Sequence, residues 1–214
     1  MPDRTTLQIL RIVSTLAALF SFSCSKKNNE SISDLNSSHS SSSMQVIKHT
    51  LDNGLTVFLS PNHETPRFYA EIITRAGSKH DPETNTGLAH YLEHLLFKGT
   101  SSFGTIDFEK EKPLLDQISQ LYEERSAEQN ETKRGEIYQK INEISIQAST
   151  FAVPNEMDRV YGNMGGKGIN AHTWHEETVY KVDLPANRLI HWAKIESERF
   201  ANPVFRLFHT ELET

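Results

Sequence analysis

Cysteine is nearly absent from this chain of 214 residues, with Cys24 as the single example. One cysteine excludes an internal disulfide framework and any zinc module built from several cysteines. Basic side chains are also scarce, with 22 against 28 acidic ones and no long basic run, and the formal net charge is −6. This balance argues against a protein whose main task is to hold nucleic acid through its phosphates. The length corresponds to roughly one domain.

The N-terminal sequence has no apolar run as long as a membrane-spanning helix, but it has the pattern of a signal peptide over residues 1–23. Arg4 and Arg11 precede an apolar run of about eleven residues, Ile12 to Phe22, whereas a spanning helix needs ~20. The run leads into Ser-Phe-Ser-Cys ending at Cys24, which resembles a loose bacterial lipobox whose cysteine receives lipid. An ordinary cleavage site with an incidental thiol is the alternative. We therefore expect an exported lipoprotein on the periplasmic side of a bacterial membrane, anchored through Cys24.

Residues 24–43 are rich in serine and have almost no side chain that could be buried. Such a segment is predicted to be a flexible tether. The folded part is predicted to run from residue 44 to 214. Near its start, Asn53-Gly54 lies between two short apolar runs, which predicts a β-hairpin.

The remaining pattern mixes strands with helices and predicts an α+β fold. Strands are expected at 67–75, 169–174 and 178–182, and helices at 87–97 and 186–199. Two further stretches with apolar side chains at helical spacing predict a helical-hairpin insert over about 105–151. The sequence therefore predicts a mixed or antiparallel sheet covered by helices.

The most informative residues are His90-Tyr91-Leu92-Glu93-His94 on the short predicted helix. Positions i and i+4 share one face of a helix, so both imidazoles can reach a single ion. Glu93 precedes the second histidine and lies close enough to reach a water molecule on that ion. This is the inverted H-x-x-E-H arrangement of zinc hydrolases. Surface histidines without a metal are the alternative.

Several other blocks of sequence accompany this motif. They are Ala76-Gly77-Ser78, Gly87 to Ala89, Leu95 to Thr100, Asn170 to Thr173, Glu177 to Tyr180, Leu184-Pro185 and Glu198 to Pro203. Together with the motif they resemble the pitrilysin and insulysin family of zinc metallopeptidases, which includes the β subunit of mitochondrial processing peptidase. The resemblance implies the N-terminal domain of such a peptidase.

The resemblance also implies roles for individual residues. His90 and His94 would bind Zn²⁺ as neutral imidazoles, and Glu93 would act as general base in hydrolysing a peptide bond. Asn170 and Ala171 match the edge strand on which the family holds an extended peptide substrate, although an ordinary sheet strand is the alternative. Glu211 matches an acidic residue that supports the site from behind the ligands. The third zinc ligand of the family would then fall beyond Thr214.

We therefore expect a zinc metalloendopeptidase with a peptide as partner and no nucleic acid. The resemblance also implies a second peptidase domain or subunit that this chain does not contain, so the chain is expected to be truncated and inactive alone. The competing hypothesis is a non-catalytic family member that serves as a binding or structural subunit. Members of that kind typically lose part of the His/Glu/His set, which is intact here.

Overall fold

The computed structural model describes residues 45–212. The predicted signal peptide, Cys24 and the tether lie outside the described residues. The described residues divide into two units, 45–66 and 67–212. In the first unit, β1 (Ile47–Thr50) and β2 (Thr56–Leu59) form an antiparallel hairpin. Its turn contains Gly54 with φ +88°, a left-handed conformation that glycine adopts without steric cost.

The second unit is built on a three-stranded antiparallel sheet. Its strands are β3 (Arg67–Thr74), β4 (Lys167–Thr173) and β5 (Thr178–Pro185). They lie in the order β3-β5-β4, so β5 is central and β4 forms one edge. Most of β5 is buried, as is expected of a central strand, and its Val182 and Leu184 enter the core of this unit.

Six helices in the described residues accompany the sheet. They are α1 (Leu88–Leu95), α2 (Phe108–Ala127), α3 (Glu131–Ser149), α4 (Glu156–Asn163), α5 (Leu189–Ala201) and α6 (Phe208–Leu212). The combination confirms the predicted α+β class, with antiparallel strand pairing throughout. Between residues 45 and 212, no helix combines the length and the apolar character needed to cross a membrane.

Helices α2 and α3 form a helical hairpin where the sequence predicts one. The side chain of Asp107 accepts a hydrogen bond from the backbone amide of Lys110, and Asn130 does the same for Lys133, so each helix begins at a capping residue. The two helices have a core of their own, and α6 is their main other packing partner. The buried members of that core are Ile118, Leu121, Ile141 and Ala148.

Candidate metal centre

Helix α1, which contains the histidine pair, begins at Gly87 with φ +90°. The first amides of a helix have no partner within it. Here the carboxylate of Asp81 accepts hydrogen bonds from the backbone nitrogens of Gly87, at 2.7 Å, and Ala89, at 2.8 Å. A negative charge at this end also interacts favourably with the helix dipole. The start of α1 is therefore held by a residue of the preceding loop.

His90 and His94 lie on the exposed side of α1 with their rings nearly perpendicular, at 87°. Their Nε2 atoms are 3.1 Å apart. Two nitrogens bound to one tetrahedral zinc ion at ~2.0–2.1 Å would be roughly 3.3 Å apart. The separation of the two nitrogens therefore suits a pair of ligands to one ion.

Glu93 lies three residues after His90 and directly before His94 on α1, and its side chain is buried, with 7% of its surface exposed. One of its carboxylate oxygens accepts a hydrogen bond of 2.5 Å from the hydroxyl of Thr173 on β4. That hydroxyl is also 3.3 Å from the hydroxyl of Thr178, which donates to the carbonyl of Ala76 at 2.9 Å. A chain of hydroxyl groups thus links the carboxylate of α1 to the sheet.

The carboxylate of Glu211, on α6, lies behind the second histidine. Its Oε2 is 3.4 Å from Nδ1 of His94, and its Oε1 accepts from Nζ of Lys98 at 2.5 Å. A carboxylate near the second nitrogen of a metal-binding imidazole fixes the orientation of the ring and makes it a better ligand. The Glu211 carboxylate therefore lies on the Nδ1 side of the His94 ring.

A tyrosine joins α1 to α6. The hydroxyl of Tyr91 donates to the carbonyl of Phe208 at 2.6 Å. Burial raises the pKa of Tyr91 to about 12, and the nearby Tyr122 and Glu211 raise it as well. The phenol therefore remains protonated near neutral pH and keeps its hydrogen bond to the backbone of α6.

Asn170 and Ala171 lie on β4, at the edge of the three-stranded sheet and beside α1. Side chains alternate along a strand. Ala171 and Thr173 lie on the face that meets α1, whereas Asn170 is exposed. Within the described residues, β4 is thus an edge strand of this sheet that packs beside α1.

The fit of these residues to a zinc ion is partial. The two imidazoles have the chemistry and spacing for two positions. Catalytic zinc takes three protein ligands and a water molecule, and within residues 45–212 no group of three histidine, cysteine, aspartate or glutamate side chains could hold a metal ion. Glu211 contacts the back of the His94 ring and not the Nε2 side.

Sequence reasoning assigned no role to three contributors to this arrangement, namely Thr173, Lys98 and Asp81. Alternation along β4 could have indicated Thr173, because it shares a face with Ala171. Lys98 follows His94 by four residues, but it lies beyond the end of α1, where helical spacing makes no prediction. No local pattern marks Asp81 as the acceptor for the start of α1.

Comparison with known proteins supports a relationship over part of the chain. Residues 56–115 match the insulinase family, peptidase family M16. Protease 3 of Escherichia coli (strain K12) is 37% identical over 57 residues, which are 27% of this chain and 6% of that protein. The β subunit of the mitochondrial-processing peptidase of Rattus norvegicus is 41% identical over 61 residues, which are 28% of this chain and 12% of that subunit.

Among solved structures, the first half of the periplasmic protease PqqL from Escherichia coli is similar over 74% of this chain and 25% of that one, with a TM-score of 0.47 and 21% identity. The stretches aligned with Protease 3 and the β subunit account for only a small part of either protein's length. Residues 56–115, which contain α1 with His90, Glu93 and His94, are the part of the chain that is similar to the insulinase family of peptidases, family M16.

Proposed function

We propose that this chain contributes the metal-binding helix of a zinc-dependent metalloendopeptidase that cleaves extended polypeptides. The observation that carries the proposal is the approach of the His90 and His94 Nε2 atoms to 3.1 Å. The family match over residues 56–115 supports it, because that segment contains the helix.

Each residue of the site has a distinct task in this proposal. His90 and His94 would hold Zn²⁺, since their Nε2 atoms are 3.1 Å apart. When bound, the ion lowers the pKa of a water molecule and polarises the peptide carbonyl. With the ion bound, Glu93 would accept a proton at its carboxylate and return it to the leaving amine. Thr173 keeps the carboxylate oriented through its 2.5 Å hydrogen bond.

The substrate, in this proposal, is an extended peptide that adds to the edge of the sheet. Asn170 and Ala171 on β4 provide main-chain hydrogen bonds to it, a mode of binding that is independent of side-chain sequence. We further propose that the third zinc ligand comes from outside residues 45–212 and that a second peptidase domain or subunit completes the site. On its own, the chain would then bind zinc weakly and cleave peptides poorly.

Zinc titration by calorimetry tests the ligand pair. We expect His90→Ala and His94→Ala each to abolish zinc binding, whereas His191→Ala, an exposed histidine on α5, leaves it unchanged. We expect Glu93→Gln to retain zinc and to abolish cleavage of a peptide substrate by the gene product. Zinc binding that survives both histidine substitutions would contradict the proposal.

A second candidate is a non-catalytic subunit of the same family. The observation that favours it is the lack of a third ligand within residues 45–212. Zinc bound at His90 and His94 without cleavage of any peptide would support this function, and cleavage that Glu93→Gln abolishes would exclude it.

We propose, from the sequence of residues 1–24, that the protein is exported and carries lipid on Cys24. Metabolic labelling with a fatty acid tests this, because Cys24→Ser is expected to lose the label while secretion continues. Label retained on the Cys24→Ser protein would contradict a lipid at this residue.

A further inference from the structure

Helix α6 cannot define the position of Glu211 by itself. It has only five residues, and helices this short are unstable in water without packing against neighbours. The distance between the Glu211 carboxylate and the His94 ring is therefore set by whatever holds α6. Besides Tyr91, which donates to the carbonyl of Phe208, and Lys98, which donates to Glu211, two buried contacts on either side of Phe208 hold α6. Both of these lead to the α2–α3 hairpin.

The first contact joins Arg206, just before α6, to Glu111 in the first turns of α2. Both side chains are fully buried, with 1% and 0% of their surface exposed. Nε of Arg206 donates to Glu111 at 2.9 Å, and Nη2 donates to the other carboxylate oxygen at 3.2 Å. Such a two-pronged pair fixes both the distance and the orientation of its partners.

The second contact surrounds His209, on α6 itself, which is 6% exposed. Its Nε2 hydrogen-bonds Oδ1 of Asn142 on α3, and its Nδ1 hydrogen-bonds the hydroxyl of Tyr122 on α2. Because Oδ1 can only accept, Nε2 is the donor, and in the neutral ring Nδ1 accepts from the tyrosine. Both helices of the hairpin thus hold the residue two positions before Glu211.

Both helices of the hairpin therefore help to fix the position of α6. We propose that the α2–α3 hairpin is the positioning element of the metal centre, and that Asn142 and Tyr122 hold His209 so that Glu211 stays against Nδ1 of His94. This inference rests on the proposed zinc site. In this proposal Asn142 is a positioning residue that does not contact the ion. Its substitution affects His94 indirectly, through the position of α6.

Asn142→Ala in the full chain tests the proposal through two measurements. One is the affinity for zinc alone, by calorimetry. The other is the tautomer of the His94 ring without metal, by NMR of ¹⁵N-labelled histidine. We expect zinc binding to weaken about tenfold, at the lower end of what loss of a residue supporting a ligand produces. The Glu211 carboxylate, 3.4 Å from Nδ1 of His94, favours the tautomer with the proton on that nitrogen, and we expect Asn142→Ala to reduce the population of this tautomer.

Two matched variants separate positioning from general stability. Asn142→Asp keeps an oxygen that can accept from Nε2 of His209 but adds a negative charge, so it is expected to lose less zinc affinity than Asn142→Ala. Ile141→Val removes one methylene from a fully buried residue of the hairpin core, which is not among the residues that line the cavity beside His209, so it lowers the stability of the hairpin while the hydrogen bonds of His209 remain. We expect it to leave both zinc affinity and the His94 tautomer unchanged.

The outcomes distinguish this inference from the proposed function. A folded Asn142→Ala protein with wild-type zinc affinity and tautomer overturns the positioning role, as does an equal effect of Ile141→Val. If Asn142→Ala does not fold, the same two measurements are made on Tyr122→Phe. This variant removes only the hydroxyl that donates to Nδ1 of His209. If zinc binding does not depend on His90 and His94, the proposed function fails, but the tautomer of His94 still tests the positioning.

Discussion

Glu93 combines near-complete burial with a negative charge, which costs free energy unless donors surround the carboxylate. It is 7% exposed, and the hydroxyl of Thr173 donates to it at 2.5 Å. This hydrogen bond crosses from β4 to α1, between residues 80 positions apart in the sequence. At the scale of single residues, the hydrogen bond from Thr173 therefore offsets part of the free-energy cost of burying the Glu93 carboxylate.

Thr173→Val tests this dependence, because valine has nearly the same shape and lacks the hydroxyl. The substitution leaves a buried carboxylate without this donor, and hydrogen bonds to charged groups contribute about 1.5–3 kcal/mol. We expect the free energy of unfolding to fall by about that amount, as measured by urea denaturation.

The matched control is Thr173→Ser, which keeps the hydroxyl and removes only a methyl group. We expect it to retain most of the stability. Equal loss in the serine and valine variants would mean that the threonine contributes through packing and not through its bond to Glu93.

At the scale of elements, local periodicity predicts helices well and their ends less well. The histidine pair could be placed on one face of α1 because that inference needs only the spacing within five residues. The helix predicted over 186–199 starts three residues later, at Leu189, because a tighter 3₁₀ turn at Ala186–Arg188 precedes it, and it continues to Ala201. End residues depend on such turns, which hydrophobic spacing does not encode.

The loop after α1 depends on two glycines, whose role is steric. Gly99 has φ +103°, and a Cβ there would be 2.3 Å from the carbonyl oxygen of Phe103 and 2.8 Å from Nη1 of Arg206. At Gly104, with φ +85°, a Cβ would be 2.3 Å from the carbonyl oxygen of Lys98. Both positions therefore combine a left-handed backbone with no room for a side chain.

We expect Gly99→Ala to lower the free energy of unfolding by about 2 kcal/mol or more, since strain and a backbone clash act together. Gly135→Ala is the matched control, because a Cβ there meets nothing within 4 Å and the residue lies in an exposed stretch of α3. Alanine is favoured over glycine inside a helix, so that variant is expected to gain about 0.5–1 kcal/mol. Thermal unfolding measures the stability of both variants relative to the wild type. A Gly99→Ala protein as stable as the wild type would show that the loop has room for a side chain at this position.

At the scale of the whole molecule, the site is assembled from segments far apart in the sequence. The helix with the histidines, the strand with Thr173 and the helix with Glu211 could each be proposed from local pattern or resemblance. The contacts that join these elements could not be predicted from the sequence. Arg206 and Glu111 are 95 positions apart, and each is a charged residue of a type that is usually exposed, so nothing in their surroundings indicates burial or identifies the partner.

The buried pair allows a prediction about what holds the second unit together. Glu111→Gln leaves Arg206 buried beside a neutral partner, and breaking a buried pair in this way typically costs 3–5 kcal/mol. Lys112→Met removes an exposed pair with Asp116 on the same helix and is expected to cost about 1 kcal/mol or less. Urea denaturation of the two variants provides the comparison, and similar losses would mean that Arg206 is not isolated from water.

Replacing both partners, with Glu111→Leu and Arg206→Met, tests what else the guanidinium does. An isolated buried pair can often be replaced by apolar side chains without loss of stability. Arg206, however, also donates to the carbonyl oxygens of Lys98 at 2.6 Å, Thr100 at 2.7 Å and Phe103 at 3.2 Å. The double variant removes these donors, and buried carbonyls without a partner cost free energy. We therefore expect it to remain clearly less stable than the wild type in urea, whereas full recovery would show that the ion pair alone accounts for the burial of Arg206.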